Sequence, residues 1–155
     1  MHEHFLQQAI NLALENVRSG SGGPYGAIIV KHGNILAASA NSVTQDKDPT
    51  AHAEIMAIRK ACLVLDHFQL NDCILYSSCE PCPMCLGAIY WARLLQVFFA
   101  SDRHDAARAQ FDDQLIYEQL TLPPEHRQIP MQQITMPDAA QPFRLWTEKN
   151  TKTRY

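Results

Sequence analysis

Cys82-Pro83-Met84-Cys85 sets two thiols three positions apart, where an apolar helical run begins. A helix N-terminus favours the negative charge of thiolates, so both sulfurs can converge on one ion. By itself the spacing fits a redox pair or half of a four-cysteine structural zinc site. The latter needs a second C-x-x-C, and only Cys62 and Cys73 remain, far from this cluster. His52 is the better source of the missing ligand. A histidine and two cysteines leave zinc one open position, the ligand count of catalytic rather than structural sites. Glu54 follows His52 by two positions, at the start of the same helical run, where its carboxylate can move protons without ligating the metal. The joint pattern His52-Ala53-Glu54 and Pro81-Cys82-Pro83-Met84-Cys85 is far more specific than its parts. One ambiguity remains, because Cys79-Glu80-Pro81-Cys82 is also a C-x-x-C.

The chain has 155 residues, 46% of them hydrophobic, enough for one domain spanning 1–155 that buries roughly 70% of its unfolded surface. A formal charge of −3 removes the usual electrostatic reason for a nucleic-acid or anionic-membrane partner, and a small ligand fits better. No apolar run approaches the roughly 18 residues of a membrane span. Met1-His2-Glu3-His4 lacks the opening of a signal peptide, and a cytoplasmic location is expected. Five cysteines, three of them within seven residues, suit reduced thiols or a metal rather than a disulfide framework.

Periodicity organises the remainder. Phe5, Leu6, Ala9, Ile10, Ala13, Leu14 and Val17 fall at helical spacing, stopped by Gly20, Gly22, Gly23 and Pro24. Residues 25–31 and 35–41 read as a hairpin around His32-Gly33-Asn34. Asp48-Pro49-Thr50 signals a helix start with Thr50 as N-cap. Residues 73–77 read as a buried strand, 79–84 as a turn, 83–93 as a helix and 96–100 as a fourth strand. Beyond these, a helix around 112–120, a proline-bearing loop, a short strand near 132–135 and a terminal helix after Pro142 are expected. Strands alternating with helices predict a layered α/β domain with a mixed sheet.

From Gly22-Gly23-Pro24-Tyr25-Gly26-Ala27 through the zinc-ligand runs and Phe111-Asp112-Asp113 to Tyr155, the chain resembles the bacterial guanine deaminases of the cytidine/deoxycytidylate deaminase superfamily. Its H-x-E…P-C-x-x-C pattern is a known signature of zinc-dependent nucleobase deaminases. The resemblance implies a three-layer αβα fold with a five-stranded sheet, a Zn2+ cofactor, and hydrolysis of guanine to xanthine and ammonia. It also implies a homodimer, with tail exchange between subunits as one arrangement. By the same resemblance, His52, Cys82 and Cys85 match the zinc ligands and Glu54 the proton shuttle. Asn41, Ala53, Trp91, Asp113 and Tyr155 match substrate-binding positions, with 137–155 forming a C-terminal helix and tail over the active site.

Plainer readings compete with these roles. The family match and the helix start favour Cys85 over Cys79 as ligand, leaving Cys79, Cys62 and Cys73 as packing residues. Glu80 reads as structural, because Glu54 already fills the shuttle position. Trp91 serves equally as core aromatic or pocket wall, Asn41 can simply end a strand, and Asp112 or Asp113 can cap a helix. His2, His4, His32, His67, His104 and His126 have no ligand-like spacing and read as surface residues. A tRNA adenosine deaminase shares the motif but must hold a polyanion. The only support here is a local charge of +3 over residues 143–155, against −4 over 102–125. A non-catalytic zinc module is the reading from another class.

Overall fold

The computed structural model describes residues 1–111 and 113–155. The predicted first helix forms as α1, His2–Arg18, and the hairpin as β1, Gly26–Lys31, and β2, Asn34–Ala40. His32 and Gly33 turn the hairpin with φ of 49° and 78°, the left-handed conformation that such tight turns require. A short helix α2, Val43–Asp46, leads to α3, Ala53–Leu65. Then follow β3, Cys73–Cys79, α4, Pro83–Trp91, and β4, Gln96–Ser101. Two short helices, α5 at Arg103–Arg108 and α6 at Gln114–Leu120, come next, and α7, Gln141–Glu148, is last. The expected 112–120 helix therefore starts at Gln114, and its first position, Asp112, lies outside the described residues.

The sheet is mixed, in the order β2-β1-β3-β4, with β1 antiparallel to both neighbours and β3 parallel to β4. Central β1 is Gly-Ala-Ile-Ile-Val-Lys, apolar on both faces because both faces are covered. Ile28 and Val30 pack with Tyr76, Phe5 and Ala9 beneath α1. Ala27 and Ile29 point the other way, into a cluster with Leu75, Ala53, Ala57 and Ala61 of α3 and Ile89 of α4. This is the predicted three-layer α/β arrangement, with α3 lying on the alanine-rich face.

Two expectations are corrected. Four strands pair among the described residues, not five: 132–135 stay out of any ladder, and Ile134 is 75% exposed. That segment has strand-like residues but no buried face to drive pairing, and prolines at 130 and 137 bracket it. Thr50 is not the cap of α3. Asp48 Oδ1 accepts from Thr50 N at 2.8 Å and Thr50 Oγ1 at 2.7 Å, which takes Thr50 into a turn and leaves His52 as the N-cap.

The chain forms two compact units, Met1–Gln114 and Leu115–Tyr155. The first holds the sheet and α1 to α5. The second holds most of α6 and all of α7. Within it Met131 N donates to Pro124 O at 3.0 Å, and Tyr155 meets Trp146 edge-on with centroids 6.5 Å apart. No helix among the described residues is long and apolar enough to cross a membrane.

Gly26 sets the approach of α1 to the sheet. A Cβ there would stand 2.3 Å from Ala9 O, 2.8 Å from Leu12 Cβ and 2.9 Å from Ala13 N. Two of those atoms are helix backbone, so relief requires moving α1 as a body. Gly26→Ala is expected to cost about 2–3 kcal/mol, the scale of core overpacking, as a lowered denaturant midpoint with unchanged slope.

Candidate active site

Two helix starts build the site. His52 is the N-cap of α3 (φ −67°, ψ 152°) and Cys82 the N-cap of α4 (φ −64°, ψ 169°). Pro83 follows at the first helical position, where its fixed φ suits the turn and its missing N–H costs nothing. One turn into α4, Cys85 is fully buried. His52 Nδ1 lies 3.6 Å from Cys82 Sγ and 3.5 Å from Cys85 Sγ, and the three ligand atoms lie within 4.8 Å of one another. A tetrahedral zinc with Zn–N and Zn–S bonds of about 2.05 and 2.3 Å separates N from S by about 3.6 Å. The donor set and its spacing therefore fit zinc, with one position left for a small molecule.

The titration of these groups reflects their crowding. The Cys82 thiol is drawn down to about 4, first by the hydrogen bond from Cys85 and then by His52. Cys85, donor of that bond and buried, is pushed far above the ordinary thiol range. His52 is raised, chiefly by its hydrogen bond with Cys82. Glu54, a residue only 4% exposed in the first turn of α3, has its carboxyl raised mainly by burial. Ser77 Oγ donates to Glu54 Oε1 at 3.3 Å, while Oε2 accepts from Cys85 Sγ at 3.6 Å. Glu54 is thus held by both oxygens beside the ligand cluster. Ala53, wholly buried between His52 and Glu54, keeps this turn of helix close to the sheet.

Cys79 lies apart from the three-ligand group. It ends β3, donates from Sγ to Asp102 O at 3.5 Å, and its thiol is pushed up to about 11, first by burial. Glu80 Oε2 accepts from Arg103 N at 3.1 Å, in the first turn of α5 where Asp102 is the N-cap, so its tie is structural.

Asn41 follows β2 and is 9% exposed. Its backbone N donates to Tyr25 O at 3.1 Å, and its Oδ1 accepts from Val43 N at 3.3 Å. Ser42 N bonds Ala51 O at 3.0 Å, which holds this strand exit beside the approach to His52. Asp113 is half-buried, its carboxyl raised by burial first and then by the charge of Cys82, and its own charge acts on His52. Trp91 closes α4 with 62% of its surface exposed, and Tyr155, in the second unit, is 69% exposed.

Two residues with no sequence role join this environment. Tyr25 lies edge-on to Phe111, with centroids 5.1 Å apart. Its hydroxyl is driven well above the usual phenol range by burial and by the nearby Cys79, Asp113, Glu54 and Cys82. Ser77 is the other. The Gly-Gly-Pro-Tyr-Gly run is the signal that could have found Tyr25; Ser77 sits mid-strand with nothing to distinguish it.

Residues 1–101 match the family model described as the cytidine and deoxycytidylate deaminase zinc-binding region, and the chain belongs to that family. It is 56% identical to the guanine deaminase of Bacillus subtilis over 154 residues, 99% of each chain. The X-ray structure of that protein superposes with a TM-score of 0.98 at 55% identity, covering 100% of this chain and 99% of the other. The tRNA-specific adenosine deaminase of Aquifex aeolicus is 44% identical over 99 residues, 64% of this chain and 65% of its own. The structure of guanine deaminase from Nitrosomonas europaea matches with a TM-score of 0.67 at 30% identity, over 70% of this chain and 63% of that one.

Metal analysis separates the two overlapping C-x-x-C motifs. Cys85→Ala is expected to lose most bound zinc and Cys79→Ala to keep about one zinc per chain, because Cys85, and not Cys79, is grouped with His52 and Cys82. The reverse pattern would assign the ligands to Cys79 and Cys82.

Proposed function

We propose that this chain is a guanine deaminase, converting guanine and water to xanthine and ammonia. One observation carries the reading. Similarity to the Bacillus subtilis guanine deaminase continues through residues 102–155, beyond the family model, whereas the Aquifex tRNA deaminase matches over only 99 residues. Asp113 and Tyr155 lie in that added third, so the resemblance reaches the groups assigned here to the purine.

His52, Cys82 and Cys85 would hold the zinc, which when bound supplies a Lewis acid that lets water ionise near neutral pH. Glu54 moves the protons. Its Oε1 is tethered to Ser77, and Oε2, which accepts from Cys85 Sγ, would be released to take a proton from the attacking water once Cys85 serves as a thiolate ligand. It returns that proton to the ring nitrogen beside the amine-bearing carbon, then carries the proton left on the added oxygen to the amine, which leaves as ammonia while the C=O forms. The net change is loss of a C–N bond and gain of a C–O bond, without oxidation. Burial aids the first step, since a carboxylate whose affinity for protons is raised takes one from water more readily than an ordinary one.

Asn41 and Asp113 read the purine edge. An ionised carboxylate is an acceptor only, which suits the N–H donors of guanine. Ala53 and Trp91 complete the substrate-binding set, and Tyr155 closes the pocket, excluding water and strengthening each hydrogen bond to the base. We read the active form as a homodimer, with the tail able to close either its own subunit's site or the partner's. A cytoplasmic setting accords with five free cysteines.

An ammonia-release screen over free bases, nucleosides and tRNA tests the function. Release from guanine supports it; release from tRNA alone, falling steeply with salt, would assign the chain to the tRNA deaminases. Full zinc with no turnover of any substrate would leave a binding module. Glu54→Gln is expected to keep zinc and fold while losing about 100-fold or more in kcat. Asp113→Asn should raise KM for guanine and leave zinc content unchanged. Removal of Tyr155 should lower guanine turnover without changing zinc content or thermal midpoint. Unaltered kinetics there would make the tail an ordinary terminus.

A further inference from the structure

Asn16 occupies an unusual place on α1. The inward positions of that helix are Phe5, Ala9, Ala13 and Asn16, so the last is a polar side chain where periodicity calls for an apolar one. It is 7% exposed. A buried amide needs partners, and this one has them: Nδ2 donates to Gly23 O at 2.8 Å and to Asn41 O at 2.9 Å. Both N–H bonds are used on backbone carbonyls from different segments, one before β1 and one after β2.

The neighbouring geometry shows how closely these segments are held. Asn16 O accepts from Ser21 N at 3.0 Å and Gly22 N at 3.4 Å, which folds the glycine loop back over the helix end. At Gly22 a Cβ would stand 2.4 Å from Asn41 O and 2.8 Å from Asn16 Nδ2. Asn41 N in turn donates to Tyr25 O at 3.1 Å. Three pieces of chain therefore meet on one side-chain amide: the end of α1, the loop that delivers Tyr25, and the strand exit that delivers Asn41. A leucine of similar size would fill the space but leave both carbonyls without these donors.

We infer that Asn16 is a positioning residue for guanine, acting through Asn41: its amide clamps the carbonyls of Gly23 and Asn41 and so fixes the side chain that reads the base. The inference rests on the proposed role of Asn41 in the guanine site. Asn16 touches no zinc ligand, so its influence falls on substrate binding and leaves proton transfer at Glu54 largely intact.

The test compares Asn16→Asp, Asn16→Ala, Asn41→Ala and the double variant Asn16→Asp/Asn41→Ala, all zinc-loaded. Asn16→Asp keeps size and shape but sets an acceptor against two carbonyl oxygens. The expected result is normal zinc content, faster amide hydrogen exchange across 22–25 and 41–43, and unchanged protection in α3 and α4. KM for guanine should rise at least tenfold with kcat within threefold, and the double variant should be no more than twofold worse in KM than Asn41→Ala alone. An ordinary buried amide would lower the thermal midpoint and leave KM within twofold of the parent chain. That outcome, or KM effects that multiply in the double variant, overturns the inference. If Asn16→Asp does not fold, Asn16→Ala is read by the same criteria. A parent chain that leaves guanine untouched defeats the function reading instead; the exchange data need no substrate, and unchanged exchange at 41–43 then rejects the clamp.

Discussion

Everything at this site depends on two helices starting at the same place. His52 and Cys82 are both N-caps, and both carry extended backbone angles that turn the side chain toward the helix mouth. Four backbone N–H groups stand without intrahelical partners at each start, and their partial positive charge favours anionic sulfur and carboxylate. Cys82 Sγ, Cys85 Sγ and the Glu54 carboxylate fall within that field. The three candidate metal ligands and the carboxyl of Glu54 are thus brought together by ordinary helix initiation.

The sheet makes those two starts coincide. β3 runs into the turn that opens α4, and β2 runs out through Asn41 toward α3, with β1 between them in register with both. Because β1 pairs antiparallel with β2 and β3 on either side, the C-terminal ends of β2 and β3 emerge at the same end of the sheet. Ser77, on β3 opposite Ala27, then bonds Glu54 across the layer boundary. Register and catalytic geometry are the same fact seen at two scales.

The amphipathic helix α1, the hairpin, β3, α4 and β4 were legible in the sequence because each is a local periodic pattern bounded by glycine, proline or a turn. The three metal-ligand candidates were legible because ligand chemistry restricts residue type and spacing severely. Other features depend on context that a single chain does not display. Thr50 looks like the cap of α3, and only the turn around Asp48 removes it. α5 went unseen although Asp102 and Asp105 form a reciprocal capping box, since six residues carry too short an apolar pattern to register. The strand expected at 132–135 has suitable residues and lacks a buried face. Asn41 and Asp113 came from resemblance, and Tyr25, Ser77 and Asn16 are tied in by contacts that join residues 23 to 86 positions apart.

The face of the sheet beneath α3 is lined with alanine: Ala27 and Ala37 from the strands, Ala53, Ala57 and Ala61 from the helix. Small residues on both sides let helix and sheet approach closely, which holds the distance from His52 to the cysteines. Such a seam has little volume to trade. Any larger side chain pushes α3 outward and carries His52 with it, and no smaller residue short of glycine is on offer. Drift toward new substrates is therefore channelled away from this seam, into the loop around Tyr25, the exit of β2 and the stretch after β4. There residues can vary without disturbing the distance on which the metal depends.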